Sequence, residues 1–319
     1  MARKTAPQAQ DLADLPALIA RMRAGERRAI SRAVTELERL SAAAPRLLQA
    51  MQPHLGHALV VGFTGPPGAG KSTLVNAYTA DLRGKGRTVG IIAVDPSSPV
   101  SGGAILGDRI RMTATLDDDG VFMRSLASRG HLGGLSPAAV RVIDALDAAG
   151  KDVILIETVG TGQSEIDVAE VADVRVLVTA PGLGDDIQAM KAGLIEIADV
   201  MVVNKADREG ADRTAQQLKS ALALRAAGHA GLPVLMTTAV TGEGVDALAA
   251  AIETAGARAL ARPVQDRRRR RARYLIARAA ADAIAERIRA DVRGELDALA
   301  DAVLSGDVMP ADAARKLIG

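Results

Sequence analysis

The chain has no cysteine and no tryptophan, and its aromatic residues are limited to Phe63, Tyr78, Phe122 and Tyr274. Without cysteine, neither a disulfide framework nor a thiolate metal centre can form. With so few aromatics, surfaces that hold single-stranded bases by stacking are excluded, and the core has to be built from Leu, Ile, Val and Ala. Forty basic residues against 38 acidic ones leave a net charge of +2, so no strong overall field draws the chain to nucleic acid or to an acidic membrane. No run approaches the roughly 18 apolar residues of a spanning helix. The basic start "MARKTAPQAQ" is followed by no apolar signal segment. These absences predict a soluble, cytoplasmic chain that contacts neither membrane nor nucleic acid.

Apolar residues make up 48% of the 319, which suffices for a core domain of about 200 residues with helical additions. Three regions separate by pattern, at 1–56, 57–262 and 263–319. The first is helical, with Ile30, Val34, Leu37 and Leu40 recurring at helical spacing until Pro53 and Gly56 break the pattern. In the second, the apolar runs "ALVVGF", "VGIIAV", "VILIE", "VRVLVT", "VMVVN" and "VLMTT" alternate with helical stretches. Near-continuous apolar strands separated by helices predict an α/β domain whose mainly parallel sheet is covered on both faces. The third is helical again, and Ile284, Ile288, Val292, Leu296, Leu299 and Val303 form one apolar stripe that must be covered. The arginine run 267–271 reads as a solvated helix face or as a patch for an acidic partner.

"GFTGPPGAGKST" follows the first strand and opens a helix. Gly65 to Ser72 satisfies the phosphate-loop pattern G-x-x-x-x-G-K-[ST] in the context it requires. Gly65, Pro67, Gly68, Ala69 and Gly70 form a turn whose N–H groups face phosphate oxygens, backed by the helix N-terminus at Lys71, Ser72 and Thr73. Lys71 reaches the β- and γ-phosphates, and the Ser72 hydroxyl ligates Mg²⁺.

"NKAD" at 204–207 ends a later strand. An aspartate there accepts from guanine N1–H and N2–H₂, a pattern adenine lacks, and such a buried polar pairing rejects the wrong base strongly. Asp207 is that acceptor. The Lys205 stem lies along the base, and Asn204 ties the two loops together. Thr238 and Ala239, in "TTAVTGEG", offer a backbone N–H to guanine O6. The nucleotide is therefore GTP, with GDP as product.

"ETVG" places Glu157 and Gly160 where an acid meets the Mg²⁺ shell and a glycine amide senses the γ-phosphate. Glutamate has a longer arm than the usual aspartate, which favours contact with the metal through water over direct ligation. No glutamine directly follows Gly160 to orient the attacking water, and the role of Gln163, three residues on, is open. Asp95 at a strand end and Asp108 in a Gly-Asp-Arg turn either contribute to the water and Mg²⁺ shell or are solvated loop carboxylates. Arg109 and Arg111 are equal candidates to neutralise transition-state charge.

Together, "GPPGAGKST", "AVDPSSPVSGGAILGDRIRM", "SRGHLGGL", "ETVGTGQSE", "GDDIQAMKAGLIEIADVMVVNKAD" and "TGEG" resemble the methylmalonyl-CoA mutase-associated GTPases, the MeaB/ArgK family, over nearly the whole chain. The resemblance implies a phosphate-loop GTPase fold with helical extensions at both ends, the last serving homodimerisation. It implies a GTP-hydrolysing chaperone that gates delivery of adenosylcobalamin to a dependent acyl-CoA mutase and helps eject the damaged cofactor. It also places Gln188 and Lys191 in a third switch between nucleotide and partner. Two other readings have less support. A metallochaperone GTPase needs cysteine or clustered histidine, and a transport-system kinase for basic amino acids needs a separate kinase apparatus. "RGHLGGL" has Arg129 where a cobalamin-binding D-x-H-x-x-G motif has aspartate, so any cobalamin is held by the partner.

Overall fold

The computed structural model describes residues 14–95, 118–127, 135–158, 164–183, 192–223, 232–289 and 294–318. The chain divides into two compact units, Met1–Arg271 and Ala272–Gly319.

The first unit is built on a seven-stranded parallel sheet. The strands are β1 (Leu59–Thr64), β2 (Val89–Asp95), β3 (Val121–Ala127), β4 (Val153–Thr158), β5 (Val174–Thr179), β6 (Val200–Asn204) and β7 (Val234–Thr237). Their order is β3-β2-β4-β1-β5-β6-β7. Every residue of β1, β4 and β6 is buried, as expected of strands covered on both faces. Before the sheet lie helices α1 (Leu15–Arg23), α2 (Arg27–Arg39) and α3 (Ala44–Met51). Along the chain then come α4 (Lys71–Gly84), α5 (Pro137–Ala148), α6 (Ser164–Val171), α7 (Ala192–Ile197), α8 (Ala211–Ala223) and α9 (Val245–Leu260). Phe63, Leu74, Val75, Tyr78, Leu248 and Ile252 share one core cluster, which seats α4 and α9 on one face of the sheet. Phe63 meets Tyr78 at a ring separation of 6.2 Å.

Six of the strands coincide with the apolar runs of the sequence. The exception is β3, whose VFMRSLA carries Arg124 and Ser125. Among the described strands it pairs with β2 only, and an edge position tolerates such polar residues. Arg124 is matched there by Glu38 of α2, its Nη2 donating to Oε2 at 2.5 Å.

In α2, Ile30, Val34 and Leu37 are fully buried as the periodicity predicts, but Leu40 is 59% exposed. Leu40 caps the helix in a left-handed conformation, φ 49°, which turns it off the buried face.

The arginine run corrects its expected reading. Helix α10 (Val264–Arg289) opens with it, and Arg267 and Arg271, four residues apart on one face, are buried rather than solvated. They lie against the buried carboxylate of Asp173. Arg267 Nη2 also donates to the Gly56 carbonyl at 2.6 Å. Asp147 of α5 accepts from the N–H groups of Gly56, His57 and Ala58, so the segment leading into β1 is fixed from both sides. Nearby, burial pushes the Asp144 carboxyl up to about 6, against the pull of Arg271, Arg268 and Arg141 and with Asp147 adding to the rise.

In the second unit, α10 ends at Arg289. Helices α11 (Glu295–Leu304) and α12 (Pro310–Ile318) follow. The stripe read from the sequence as one line is therefore divided. Ile284 and Ile288 lie on α10, and Leu296, Leu299 and Val303 lie on α11, which starts after Gly294 at φ 67°. Val292 lies outside the described residues. Ala283, Ile284, Arg287, Ile288 and Leu317 line an apolar hollow of about 200 Å³. No described helix is long and apolar enough to cross a membrane.

Candidate nucleotide site

The carboxyl ends of parallel strands, where ligands of open α/β sheets bind, bring the sequence motifs together. Between β1 and α4, Gly65, Gly68 and Gly70 adopt φ of 138°, 77° and 85°, values that side chains rarely allow. A Cβ on Gly65 would stand 1.9 Å from the Val178 carbonyl oxygen, and one on Gly70 would stand 2.4 Å from Asn204 Nδ2. The loop therefore lies tight against β5 and β6, with Pro67 and Gly68 exposed and Ala69 buried. Gly70 is the N-cap of α4 and supplies no side-chain cap, so the amides of Lys71, Ser72 and Thr73 stand at a helix end suited to an anion. The Lys71 ammonium is buried and curls over the loop, donating to Gly65 O at 2.7 Å and Pro66 O at 2.9 Å.

Ser72 faces β4. Its hydroxyl donates to Glu157 Oε1 at 2.5 Å. Phe63 and Glu157 are register partners across β1 and β4, so Glu157 shares the face on which Phe63 meets Tyr78 of α4. This geometry also tests whether the residues suit a hard cation. With its proton on Glu157, the Ser72 oxygen keeps its lone pairs for a metal, and the carboxylate stands behind it as the acceptor. That is a fit for Mg²⁺, which takes few protein ligands beside phosphate oxygens and water.

Asn204 is the hub of the second loop. Its Nδ2 donates to Ala69 O at 2.9 Å, and its Oδ1 accepts from Thr237 Oγ1 at 3.2 Å and from the Ala239 N–H at 3.1 Å. One amide thus joins the phosphate loop, β6 and the loop after β7. The Ala239 N–H that the sequence offers to guanine O6 is directed here at Asn204. Lys205 adopts a left-handed φ of 58°, and its Nζ donates to Gly68 O at 2.6 Å. The stem is thereby stretched from β6 to the phosphate loop, a tie the sequence does not reveal. Asp207 is exposed in the following turn. Thr238 is buried and pairs with Glu243 through its N–H at 3.0 Å, which shapes the loop around Ala239. A Cβ on Gly244 would stand 2.2 Å from the Met236 carbonyl oxygen, so this loop too needs glycine.

The remaining candidates are not placed. Asp95 ends β2, but its side chain lies outside the described residues, as do Asp108, Gly160, Gln163 and Lys191. Residues that sequence reasoning missed are Thr237, which carries the Asn204 amide, and Glu243, which pins Thr238. Thr237 acts through a contact between neighbouring strands that only the assembled sheet creates, and Glu243 through a local bridge within the loop after β7.

The chain is similar to several known proteins. A family model described as methylmalonyl-CoA mutase-associated GTPase MeaB matches residues 28–293. A Pyrococcus abyssi protein, PYRAB02490, named as a GTPase by inference, is 45% identical over 313 residues, 94% of this chain and 95% of that one. The GTPase ArgK of Escherichia coli is 46% identical over 199 residues, 61% of this chain and 60% of its own. A solved structure described as a LAO/AO transport system kinase superposes with a TM-score of 0.75 at 28% identity, covering 96% of each chain.

Proposed function

This chain is a GTPase of the methylmalonyl-CoA mutase-associated MeaB family, and from that premise we propose that it is a GTP-hydrolysing chaperone. Its client is an adenosylcobalamin-dependent acyl-CoA mutase. Hydrolysis gates loading of the cofactor onto that enzyme and its protection or reactivation. The observation that carries the nucleotide reading is the Asn204 hub, which joins the phosphate loop to the loops bearing Asp207 and Ala239.

In this reading the amides of Gly68 to Thr73 hold the phosphates, and Lys71 leaves the loop carbonyls to neutralise the β- and γ-phosphates. Asp207 accepts from guanine, with the Lys205 stem along the base and the Thr238–Ala239 loop at its edge. Ser72 holds Mg²⁺ with Glu157 behind it, and Asp95 and Asp108 complete the shell. When bound, the ion neutralises charge on the phosphate oxygens. A water held by Asp95 or by a group the partner positions attacks the γ-phosphorus in line, the β–γ bond breaks, and phosphate and GDP result. Gly160 senses the γ-phosphate, and Gln163 and Lys191 relay its loss towards the partner. With no glutamine next to Gly160, turnover in isolation is slow and the mutase accelerates it. The chain works as a homodimer through residues 263–319. Exposed Ile276, Leu304 and Met309 and the hollow around Ile284 support that use.

Steady-state GTP hydrolysis with and without each cobalamin-dependent acyl-CoA mutase of the same genome tests this reading. A rise of about tenfold or more, ~1.4 kcal/mol of barrier, is expected with one of them. Tight GTP binding with no response to any mutase contradicts it. One observation favours a second reading, the likeness to a structure described as a transport system kinase. Label from γ-phosphate recovered on protein rather than as free phosphate would favour that one.

A further inference from the structure

Helices α5, α6 and α7 each lead into the sheet through an aspartate followed by valine. Asp152 precedes Val153 of β4, Asp173 precedes Val174 of β5, and Asp199 precedes Val200 of β6. The three aspartates make the same contact. The Asp152 N–H donates to the Thr88 carbonyl at 3.0 Å, and its Oδ2 accepts from the Thr88 N–H at 2.7 Å. Asp173 closes the same ring with Val60, at 2.7 Å and 3.1 Å. Asp199 closes it with Arg175, at 2.9 Å and 2.8 Å. Each ring joins neighbouring strands at their amino ends: β4 to the start of β2, β5 to β1, and β6 to β5.

The way the chain enters the sheet explains the rings. The slanted bonds of a parallel ladder tie one residue to two residues of its neighbour, two positions apart. Two positions before each aspartate stand Gly150, Val171 and Ile197, which lie at or just past the end of a helix rather than in a strand. The Val171 carbonyl accepts from Arg271 Nε at 3.0 Å, and the Gly150 carbonyl accepts from the Thr88 hydroxyl at 3.3 Å. The carboxylate takes the place of the missing strand acceptor and adds one rung to the ladder. Donors hold it there. Arg267, Arg270 and Arg271 pair with Asp173, Arg175 pairs with Asp199, and the Thr88 hydroxyl donates to Asp152 at 2.9 Å.

The apolar runs do not set register by themselves. In LVVGFT, VILIET, VRVLVT and VMVVN nearly every residue is buried. A slip of two residues keeps each side chain on its face and mostly exchanges one apolar residue for another. An aspartate carried two residues along, about 6.6 Å, loses its N–H partner and arrives as an unpaired buried charge, which is costly. The opposite end of the sheet depends on the register so fixed. A Cβ on Gly65 would stand 1.9 Å from the Val178 carbonyl oxygen of β5, and one on Gly70 would stand 2.4 Å from Asn204 Nδ2 of β6. Neither close approach survives a shift of β1, β5 or β6.

We propose that Asp152, Asp173 and Asp199 are register clamps, and that they are positioning residues for the nucleotide site at the far ends of the strands they join. Asp152 sets Glu157 of β4. Asp173 sets the phosphate loop that follows β1, and Asp199 sets Asn204 and Asp207 at the end of β6. The inference rests on the reading of that end of the sheet as a site for GTP and Mg²⁺.

Asp152→Ala and Asp199→Ala test it in the full chain. Both side chains are partly exposed, so these variants keep the fold, whereas Asp173→Ala would strand three arginines. Two quantities are read separately: affinity for GDP in the presence of a chelator, and the Mg²⁺ concentration for half-maximal hydrolysis of GTP. Asp199→Ala is expected to weaken GDP binding about tenfold and to leave the Mg²⁺ requirement within about twofold. Asp152→Ala is expected to do the reverse. Leu18→Ala, in the buried core of the N-terminal helices, lowers stability and should move neither quantity. The same effects in Leu18→Ala, no effect in either aspartate variant, or equal effects of both on both quantities overturn the positioning role. Amide hydrogen exchange reads the clamps without nucleotide. The Thr88 N–H in Asp152→Ala and the Arg175 N–H in Asp199→Ala should exchange at least about tenfold faster than in the wild type, and unchanged rates overturn the clamps. A wild-type chain that binds no guanine nucleotide overturns the reading of the site, and the exchange rates then decide the clamps alone.

Discussion

The hydroxyl of Ser72 lies 2.5 Å from Oε1 of Glu157 and donates to it, which joins the first turn of α4 to the end of β4. Glutamate's additional methylene brings the carboxylate within direct reach of the serine, so it orients that oxygen towards a cation. Glu157→Gln keeps an acceptor but removes the charge, at about 1.5–3 kcal/mol for a charged hydrogen bond. The Mg²⁺ concentration for half-maximal hydrolysis should rise about 10- to 100-fold. Nucleotide affinity in the presence of a chelator should stay near wild type. A titration of wild type and Glu157→Gln with Mg²⁺ and a fluorescent nucleotide reads the two quantities separately.

The phosphate-loop glycines should differ in their tolerance of alanine. Nothing lies within 4 Å of a Cβ at Gly68, so Gly68→Ala meets only the cost of its left-handed φ, about 1–2 kcal/mol. At Gly70 the Cβ would stand 2.4 Å from Asn204 Nδ2 and would push the hub away from the loop. GTP affinity should therefore fall at least about tenfold more in Gly70→Ala than in Gly68→Ala, measured by calorimetry on chains of equal helical content.

Asp144 should make stability depend on pH. Its folded-state pKa is raised to about 6 from 3.8, with burial the largest cause, so the folded chain binds a proton that the unfolded chain has lost. Stability from this group is complete below about pH 4, falls as the pH rises to about 6, and is level above that. Asp144→Asn should therefore add on the order of 2–3 kcal/mol at pH 8 and nothing near pH 4. Urea unfolding at the two pH values gives the comparison.

Local patterns carried most of the fold and of the site into the sequence. Apolar runs such as LVVGFT and VILIET must be central strands because both faces are covered, and the phosphate-loop pattern dictates its own turn. What stayed hidden depends on the assembled sheet. β3 reads poorly because an edge position lets Arg124 pair with Glu38, which breaks the apolar run. The arginines at 267 and 271 look solvated until Asp173, nearly a hundred residues earlier, supplies their partner. The reach of Lys205 to Gly68 and the support Thr237 gives Asn204 likewise join segments that sequence spacing cannot bring together.

The central claim is that Asp207, held at the end of β6 beside the Asn204 hub, reads guanine. Its most direct test is the ratio of hydrolysis rates for GTP and XTP in wild type and in Asp207→Asn. Xanthine carries an oxygen where guanine has its amino group, so the aspartate should favour GTP and asparagine should favour XTP, each by about 100-fold or more. A wild-type chain that hydrolyses ATP, GTP and XTP alike, or an Asp207→Asn chain with unchanged preference, would contradict the account.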